Sequence, residues 1–152
     1  EKLNGVEEVI SGYSGGTTEN PTYKEVTYGK TGHFEVVEVI YNKEIITYEE
    51  LLKNFWLNID PFDAYGQFCD KGYSYRSVAF FQNSNEKKLI ERDIKDLEKK
   101  FNKKIVTYVR KFSKFFKAED YHQDFYKIKF QKYIRYKNAC KREQTLNNIW
   151  GQ

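Results

Sequence analysis

The sequence contains no methionine, only two cysteines and two histidines, and no long hydrophobic run. A translation product starts with methionine, so we expect a chain that begins at Glu1 to be processed, trimmed or incomplete at its N-terminus, with any targeting signal outside it. Its apolar stretches are short and interrupted by charge, so no membrane span is expected. The default location for such a chain is the cytoplasm.

The two cysteines, Cys69 and Cys140, lie far apart in the sequence. Two cysteines cannot form the multi-bridge framework of small secreted proteins, so we expect a reducing compartment, in which thiols stay reduced. The histidines, His33 and His122, fall on separate predicted elements, and no cysteine or carboxylate pair stands at zinc-ligand spacing around them. We therefore predict neither a metal site nor a cofactor.

Other enzyme and binding classes lack their motifs. The glycine-rich segment 12–16 has neither the GxGxxG spacing nor the lysine of a nucleotide loop, and no elbow motif supports a serine nucleophile. A net charge of +4 from 26 basic and 22 acidic residues is too balanced for a dedicated nucleic-acid binder. The late basic residues are interpreted as a solvated helix face or tail, with a phosphate-binding patch as the alternative: Lys127, Lys129, Lys132, Arg135, Lys137, Lys141 and Arg142.

The length of 152 residues suits a single domain over 1–152, whose 13 tyrosines and 12 phenylalanines supply much of the core. Strands and helices are mixed without regular βαβ alternation, which favours the α+β class. We predict strands over 5–13, 33–41, 77–82 and 105–109, helices from Thr47 to about Asn58, from about 83 to 101 and over 118–130, a long loop over 17–31, and an irregular basic tail over 131–152.

Two of these elements have clear local signals. The strand 33–41 is apolar on both faces, which is typical of a central strand covered on both sides. The helix that begins at Thr47 has a capping box completed by Glu50. Its buried stripe is predicted to be Leu51, Leu52, Phe55 and Trp56.

Four residues could bind and protonate an oxygen that carries partial negative charge: Tyr23, Glu35, Asp70 and Tyr75. If Glu35 is buried, desolvation raises its pKa and keeps it protonated as a general acid requires, whereas a solvated strand end makes it an ordinary carboxylate. A tyrosine phenol can donate to a developing oxyanion, although most tyrosines only pack. Asp70 is alternatively an Asx-turn residue. Arg76 is expected to pair with a carboxylate for structural reasons.

Four segments carry these residues: Gly-Tyr-Ser-Gly-Gly (12–16), Asn-Pro-Thr-Tyr (20–23), Gly-His-Phe-Glu (32–35) and Gln-Phe-Cys-Asp-Lys-Gly-Tyr-Ser-Tyr-Arg-Ser (67–77). In this order and spacing they resemble the A-type peptide methionine sulfoxide reductases. The segments Thr-Tyr-Glu-Glu-Leu-Leu (47–52) and Ala-Glu-Asp-Tyr-His-Gln (118–123) extend the resemblance over most of the chain.

The resemblance implies a fold, a two-layer α+β roll with a mixed sheet and flanking helices, and a reaction. A cysteine thiolate attacks the sulfur of a methionine S-sulfoxide, free or in proteins, and becomes a sulfenic acid. A second cysteine resolves it to a disulfide, which thioredoxin reduces. Glu35 would protonate the oxygen, Tyr23 and Tyr75 would hydrogen-bond it, and Asp70 would order the polar side of the pocket. The implied protein repairs oxidative damage, and we expect a monomer.

The family nucleophile lies in a Gly-Cys-Phe-Trp segment at a helix start, where the cysteine pKa is lowered. That segment is absent from this sequence. Three explanations stay open: a fragment of an ordinary reductase, a natural remnant that binds sulfoxide, or Cys69 as a substitute nucleophile. We discount the third because Asp70 next to Cys69 raises the thiol pKa and because Cys69 could simply pack inward. As it stands, the chain is expected to be inactive.

Cys140 lies between basic residues in the tail, which favours its thiolate form. The resemblance makes it the candidate resolving cysteine, and an incidental tail thiol is the alternative. A non-catalytic module also remains open, either a sulfoxide-binding remnant or a basic, aromatic-rich RNA-binding domain built on the segment 126–136.

Overall fold

The computed structural model describes residues 3–120, 135–136 and 138–151. Within these residues the strands run over Val6–Ser14 (β1), Phe34–Tyr41 (β2), Gly66–Gln67 (β3), Asp70–Lys71 (β4), Val78–Phe81 (β5), Tyr108–Lys111 (β6) and Phe115–Lys117 (β7). In the described ranges α-helices run over Tyr23–Thr27 (α1), Tyr48–Leu57 (α2), Ser84–Phe101 (α3) and Arg142–Trp150 (α4), and a 3₁₀ turn occupies Tyr73–Tyr75. The mixture of antiparallel and parallel strands with flanking helices confirms the α+β class.

An antiparallel sheet of order β2-β1-β7 holds the start of β2 in place. Tyr13 of β1 pairs with Glu35 of β2 and, on its other side, with Phe116 of β7. The β1 and β7 backbones approach closely at Gly12, where a Cβ atom would lie 2.4 Å from the carbonyl oxygen of Phe116. Tyr13 is buried in a small cluster with Val26 and Ala118, so the interior of this sheet supports α1.

A second core lies under the parallel pair β5–β6, where Ala79 pairs with Val109. Its buried members are Leu52, Trp56, Ala79, Ile90 and Ile105. The Trp56 indole N–H donates to Asp93 of α3 over 3.1 Å, which ties α2 to α3. The predicted α2, α3 and β5 are therefore confirmed, and both helices begin at the predicted caps, Thr47 and Asn83.

The prediction that 33–41 is a central, doubly covered strand is wrong. Within the described residues β2 pairs only with β1 and forms the edge of its sheet. Val37 is 56% exposed and Ile40 is 38% exposed. An apolar pattern on both faces does not reveal on how many sides a strand is paired, which explains the error.

Two other boundaries differ from expectation. The predicted loop 17–31 contains α1, whose first turn is closed by a capping box between Thr22 and Glu25. The strand predicted over 105–109 begins only at Tyr108. Ile105 instead packs into the second core, and its N–H donates to Glu98 over 2.9 Å.

The C-terminal predictions are partly wrong. The predicted helix 118–130 does not begin at Ala118, which follows β7 without forming an α-helix, and its remainder lies outside the described residues. The segment 131–152 is not irregular throughout, since α4 occupies Arg142–Trp150. Trp150 stacks edge-on against Phe101, and its indole donates to the carbonyl of Ile59 over 3.1 Å. Tertiary packing of one amphipathic face thus stabilises a helix that composition alone conceals.

No helix in the described ranges is both long enough and apolar enough to cross a membrane.

Candidate active site

Glu35 is the first polar side chain of β2, and one of its oxygens is cut off from water. It follows Phe34, which is fully buried, and pairs across the sheet with buried Tyr13. Its Oε2 atom is buried and has no hydrogen-bond partner among the described residues. A buried carboxyl oxygen without a donor destabilises the ionised form, because nothing replaces the water it has lost.

Burial raises the pKa of Glu35 from 4.5 to about 7. An interaction with the Tyr75 side chain lowers this pKa in part, and the negative charge of Asp70 raises it again. A large fraction of Glu35 is therefore protonated near neutral pH and can donate a proton. The structure thus favours the general-acid interpretation of Glu35 over a solvated strand-end carboxylate.

Tyr23 and Tyr75 meet beside Glu35. Their hydroxyl oxygens lie 3.0 Å apart. Tyr23 is the first residue of α1, and its backbone N–H donates to Glu119 over 3.1 Å. Tyr75 ends the 3₁₀ turn, and burial together with its hydrogen bond to Tyr23 raises its pKa above the usual value. The Tyr75 phenol therefore stays neutral and keeps a proton to donate.

Asp70 lies at the start of β4, beyond the tight β3–β4 turn at Phe68, whose φ of 54° is left-handed. Its carboxylate accepts a hydrogen bond from the Tyr136 hydroxyl. Asp70 also acts on the pKa values of Glu35 and Tyr75, so its charge is felt within the same group. The four residues that the sequence singled out are thus brought together by four different elements.

Arg76 does not pair with a carboxylate in the described part of the chain. One of its terminal nitrogens donates to the Tyr108 hydroxyl over 3.0 Å, and its guanidinium lies 5.3 Å from the centre of the Tyr73 ring. The expectation failed because two aromatic side chains from the 3₁₀ turn and β6 occupy the space beside Arg76. The predicted carboxylate partner is therefore wrong, and the partners in the structure are aromatic.

The two cysteines form a disulfide, which corrects the expectation of separate reduced thiols. Cys69 is exposed rather than packed inward, because it lies on the β3–β4 turn that projects toward the C-terminal segment. Although 71 positions separate the two cysteines in the sequence, their Cα atoms lie 5.2 Å apart in the fold. Because Cys69 directly precedes Asp70 in the sequence, the disulfide brings the Cys140 sulfur close to Asp70.

His33 is buried and holds the loop that leads to Tyr23. Its Nδ1 accepts the N–H of Gly16 over 3.0 Å, and its Nε2 lies 2.7 Å from the carbonyl oxygen of Thr18. His122 lies outside the described residues. Among the residues that the structure describes, no group of histidine, cysteine and carboxylate side chains could hold a metal ion.

Sequence reasoning did not assign roles to two residues that support the site. Glu119 accepts from the Tyr13 hydroxyl over 2.9 Å as well as from the Tyr23 N–H, so it joins β1 to α1. Tyr136 reaches Asp70 from the C-terminal segment. Glu119 lies within the quoted segment 118–123, which was a usable signal, whereas nothing in the sequence distinguishes Tyr136 from twelve other tyrosines.

The protein-family model described as peptide methionine sulfoxide reductase matches residues 1–152. The chain belongs to this family. It is 45% identical over 148 residues to peptide methionine sulfoxide reductase MsrA of Bacillus velezensis, covering 96% of this chain and 84% of that protein. It is 43% identical over 154 residues to the MsrA of Halalkalibacterium halodurans, covering 100% and 88%.

A longer relative is the MsrA/MsrB protein of Vibrio cholerae, 45% identical over 153 residues. The match covers 99% of this chain but spans only 40% of that relative's length. Among solved structures, Mxr1 of Saccharomyces cerevisiae in reduced form has a TM-score of 0.78 at 32% identity, covering 86% of this chain and 76% of that one. Methionine sulfoxide reductase A of Corynebacterium diphtheriae has a TM-score of 0.72 at 30% identity, covering 82% and 65%.

Proposed function

We propose that this reductase domain reduces the S epimer of methionine sulfoxide, free or in proteins, and so repairs oxidised methionine. The observation that carries the proposal is the buried, unpartnered Oε2 of Glu35, whose carboxyl has a pKa of about 7. A sulfoxide offers one oxygen with partial negative charge and no proton to donate. A neutral carboxylic acid beside two phenols is complementary to that oxygen, because each group can offer it a proton.

The proposed roles follow from the geometry. The Tyr23 and Tyr75 hydroxyls share one hydrogen bond, which leaves one of the two phenol protons available to the sulfoxide oxygen. Glu35 donates the proton that turns the departing oxygen into a hydroxyl group. Asp70 helps to keep Glu35 protonated, since its own charge opposes ionisation of Glu35.

The reaction also needs sulfur chemistry. A thiolate attacks the sulfoxide sulfur while the sulfoxide oxygen takes up a proton. The transient S–S bond and the S–O bond then break as the hydroxyl group passes to the cysteine sulfur, which releases the thioether and leaves the cysteine as a sulfenic acid. A second thiol displaces water from it to form a disulfide, and a dithiol such as that of thioredoxin returns the two thiols. The sum converts a sulfoxide and a dithiol into a thioether, a disulfide and water.

We propose Cys140 as the resolving cysteine. Its sulfur reaches the edge of the site, where it is bonded to Cys69 beside Asp70. The nucleophile proposed from the family resemblance is the cysteine of a Gly-Cys-Phe-Trp segment, and neither Cys69 nor Cys140 occurs in such a sequence.

The test compares the chain itself with the chain carrying a Gly-Cys-Phe-Trp helix upstream of Glu1. Each is given the S or the R epimer of methionine sulfoxide, with dithiothreitol as reductant. We expect S-selective turnover only from the extended chain, and its loss when the added cysteine is replaced by serine. S-selective turnover by the unextended chain would reassign the nucleophile to Cys69 or Cys140, which single serine replacements then distinguish. Turnover of neither epimer by the extended chain would refute the proposed reaction.

A further inference from the structure

Tyr136 contacts the site from outside the elements that build it. Its hydroxyl donates to the Asp70 carboxylate, while 44% of its surface remains exposed. Burial and the hydrogen bond to Asp70 raise its pKa, so the phenol stays neutral and remains a donor. The charge of Glu35 also acts on Tyr136 in the direction of a higher pKa. Tyr136 therefore lies within electrostatic reach of both carboxyl groups.

The backbone that carries Tyr136 is fixed by the disulfide. Cys69 immediately precedes Asp70, and Cys140 lies one turn after Tyr136, with its N–H donating to the Tyr136 carbonyl over 3.0 Å. A closed ring results: the hydrogen bond joins Tyr136 to Asp70, the disulfide joins Cys69 to Cys140, and the backbone supplies the two remaining links. Opening the disulfide removes the covalent part of this ring.

The helix after Cys140 is anchored independently. Arg142 donates to the carbonyl of Asn58 over 2.7 Å and lies 4.6 Å from the centre of the Phe68 ring. Trp150 donates to Ile59 and packs against Phe101. Reducing the disulfide therefore leaves α4 docked, while among the described residues the phenol hydrogen bond is the contact that still joins Tyr136 to Asp70.

We propose that Tyr136 is a positioning residue for the Asp70–Glu35 pair, and that the Cys69–Cys140 disulfide holds it in place. Reduction of the disulfide releases Tyr136 and lets Asp70 turn away from Glu35. The step consumes one dithiol: two electrons and two protons convert the disulfide into two thiols, and the dithiol becomes a disulfide. The consequence for catalysis rests on the proposed function, but the link between the disulfide and the position of Asp70 does not.

The sign of the effect distinguishes positioning from screening. The groups that face Glu35 are Tyr75, Asp70, Tyr136 and, through Tyr75, Tyr23. If Tyr136 holds the Asp70 charge toward Glu35, its removal weakens the repulsion and the Glu35 pKa falls. If Tyr136 only screened the charge of Asp70, its removal would strengthen the repulsion and the Glu35 pKa would rise.

The experiment follows the side-chain carboxyl carbon of Glu35 by NMR as the pH changes, in the chain labelled at glutamate. We expect its midpoint to fall by about half a pH unit or more on reduction with dithiothreitol, in Cys140→Ser, and in oxidised Tyr136→Phe. Reduction of Tyr136→Phe should add little to the shift already present. Tyr65→Phe removes an exposed phenol and is the matched control, which should leave the midpoint unchanged.

An unchanged or raised midpoint in all three altered forms would overturn the proposal. Amide spectra and thermal unfolding of each variant verify that the rest of the fold persists, and the reduced wild-type chain gives the same test without any substitution. Failure of sulfoxide turnover by the extended chain, with the shifts intact, would count against the proposed reaction alone. Turnover with no shift would count against the role of Tyr136 alone.

Discussion

The hydroxyl oxygens of Tyr23 and Tyr75 lie 3.0 Å apart, although 52 residues separate them in the chain. The two phenols come from the first residue of a helix and the last residue of a 3₁₀ turn. At this distance one phenol donates its proton to the other, and the second phenol keeps its own proton free to donate elsewhere. The pair can therefore act as one hydrogen-bond donor site.

This sharing predicts a non-additive effect on turnover in the chain carrying the Gly-Cys-Phe-Trp helix. Tyr23→Phe and Tyr75→Phe should each cost less than tenfold, roughly one neutral hydrogen bond, because the remaining phenol turns toward the sulfoxide oxygen. The double variant should lose more than the product of the single losses. Steady-state rates with the S epimer measure all three, with Tyr28→Phe as the control. Full activity in the double variant would refute a shared oxygen-binding site.

Glu35→Gln in the same extended chain should lower turnover by about a hundredfold or more, the scale of a lost general acid. Glutamine keeps the shape but has no proton of suitable acidity. The comparison variant is Glu38→Gln on the same strand, which should retain the wild-type rate. An unchanged rate in Glu35→Gln would remove Glu35 from the proton-transfer step.

The rate of the wild-type extended chain should fall as the pH rises through about 7, because the acid form of Glu35 is the one that donates. The effect has this sign since burial raises the pKa and the protonated form predominates below it. Measurement of kcat from pH 5.5 to 8.5 in the extended chain and in its Glu35→Gln variant isolates the carboxyl, because the thiol titrates in both and the ratio of the two rates removes its contribution. A rate that stays constant over this range would contradict the assignment.

Glu35 should also make folding stability depend on pH. Its folded pKa of about 7 lies above the ordinary value of 4.5, so unfolding releases a proton between these values and stability falls as the pH rises. The loss reaches at most about 3 kcal/mol, the size of that shift. Urea titrations at pH 5 and pH 8 should show a smaller decrease in Glu35→Gln than in the wild type. Equal decreases would show that Glu35 ionises as easily in the fold as in the open chain.

Trp150→Ala should destabilise the chain by about 2 kcal/mol, because it removes a ring packed on Phe101 and the indole donor to Ile59. The matched control is Asn148→Ala on the exposed side of α4, which should change the free energy of unfolding by less than about 0.5 kcal/mol. Urea denaturation measures both. Similar small effects would mean that α4 contributes nothing to the folded core.

Helix caps and apolar spacing, which are local sequence features, correctly predicted the positions of helices. The caps at Thr47 and Asn83 and the apolar spacing of α3 gave helices whose positions the structure confirms. The edge position of β2 was not predictable in this way, since Val37 and Ile40 have the same character on a paired strand and on an open one. The half-buried residues of α4 lie at 142, 145, 146, 149 and 150, a helical spacing that is visible in the sequence. The basic residues around this segment led to the prediction of an irregular tail instead.

In the candidate site, likewise, the residues within sequence motifs were predicted and the contacts made by the C-terminal segment were not. The motif segments singled out Tyr23, Glu35, Asp70 and Tyr75, and the fold brings them together. The disulfide and Tyr136 could not be predicted, because both depend on where the C-terminal segment returns to the fold. Contacts between residues about seventy positions apart are set by tertiary packing, and no short pattern in the sequence records them.

The imidazole of His33 also constrains the loop chemically. Because Nδ1 accepts from Gly16, the ring proton must lie on Nε2, where it can be donated to Thr18. A doubly protonated ring would set a second N–H against the N–H of Gly16, and a reversed tautomer would lose both bonds. The path of the chain toward Tyr23 therefore depends on the location of a single hydrogen atom on the His33 ring.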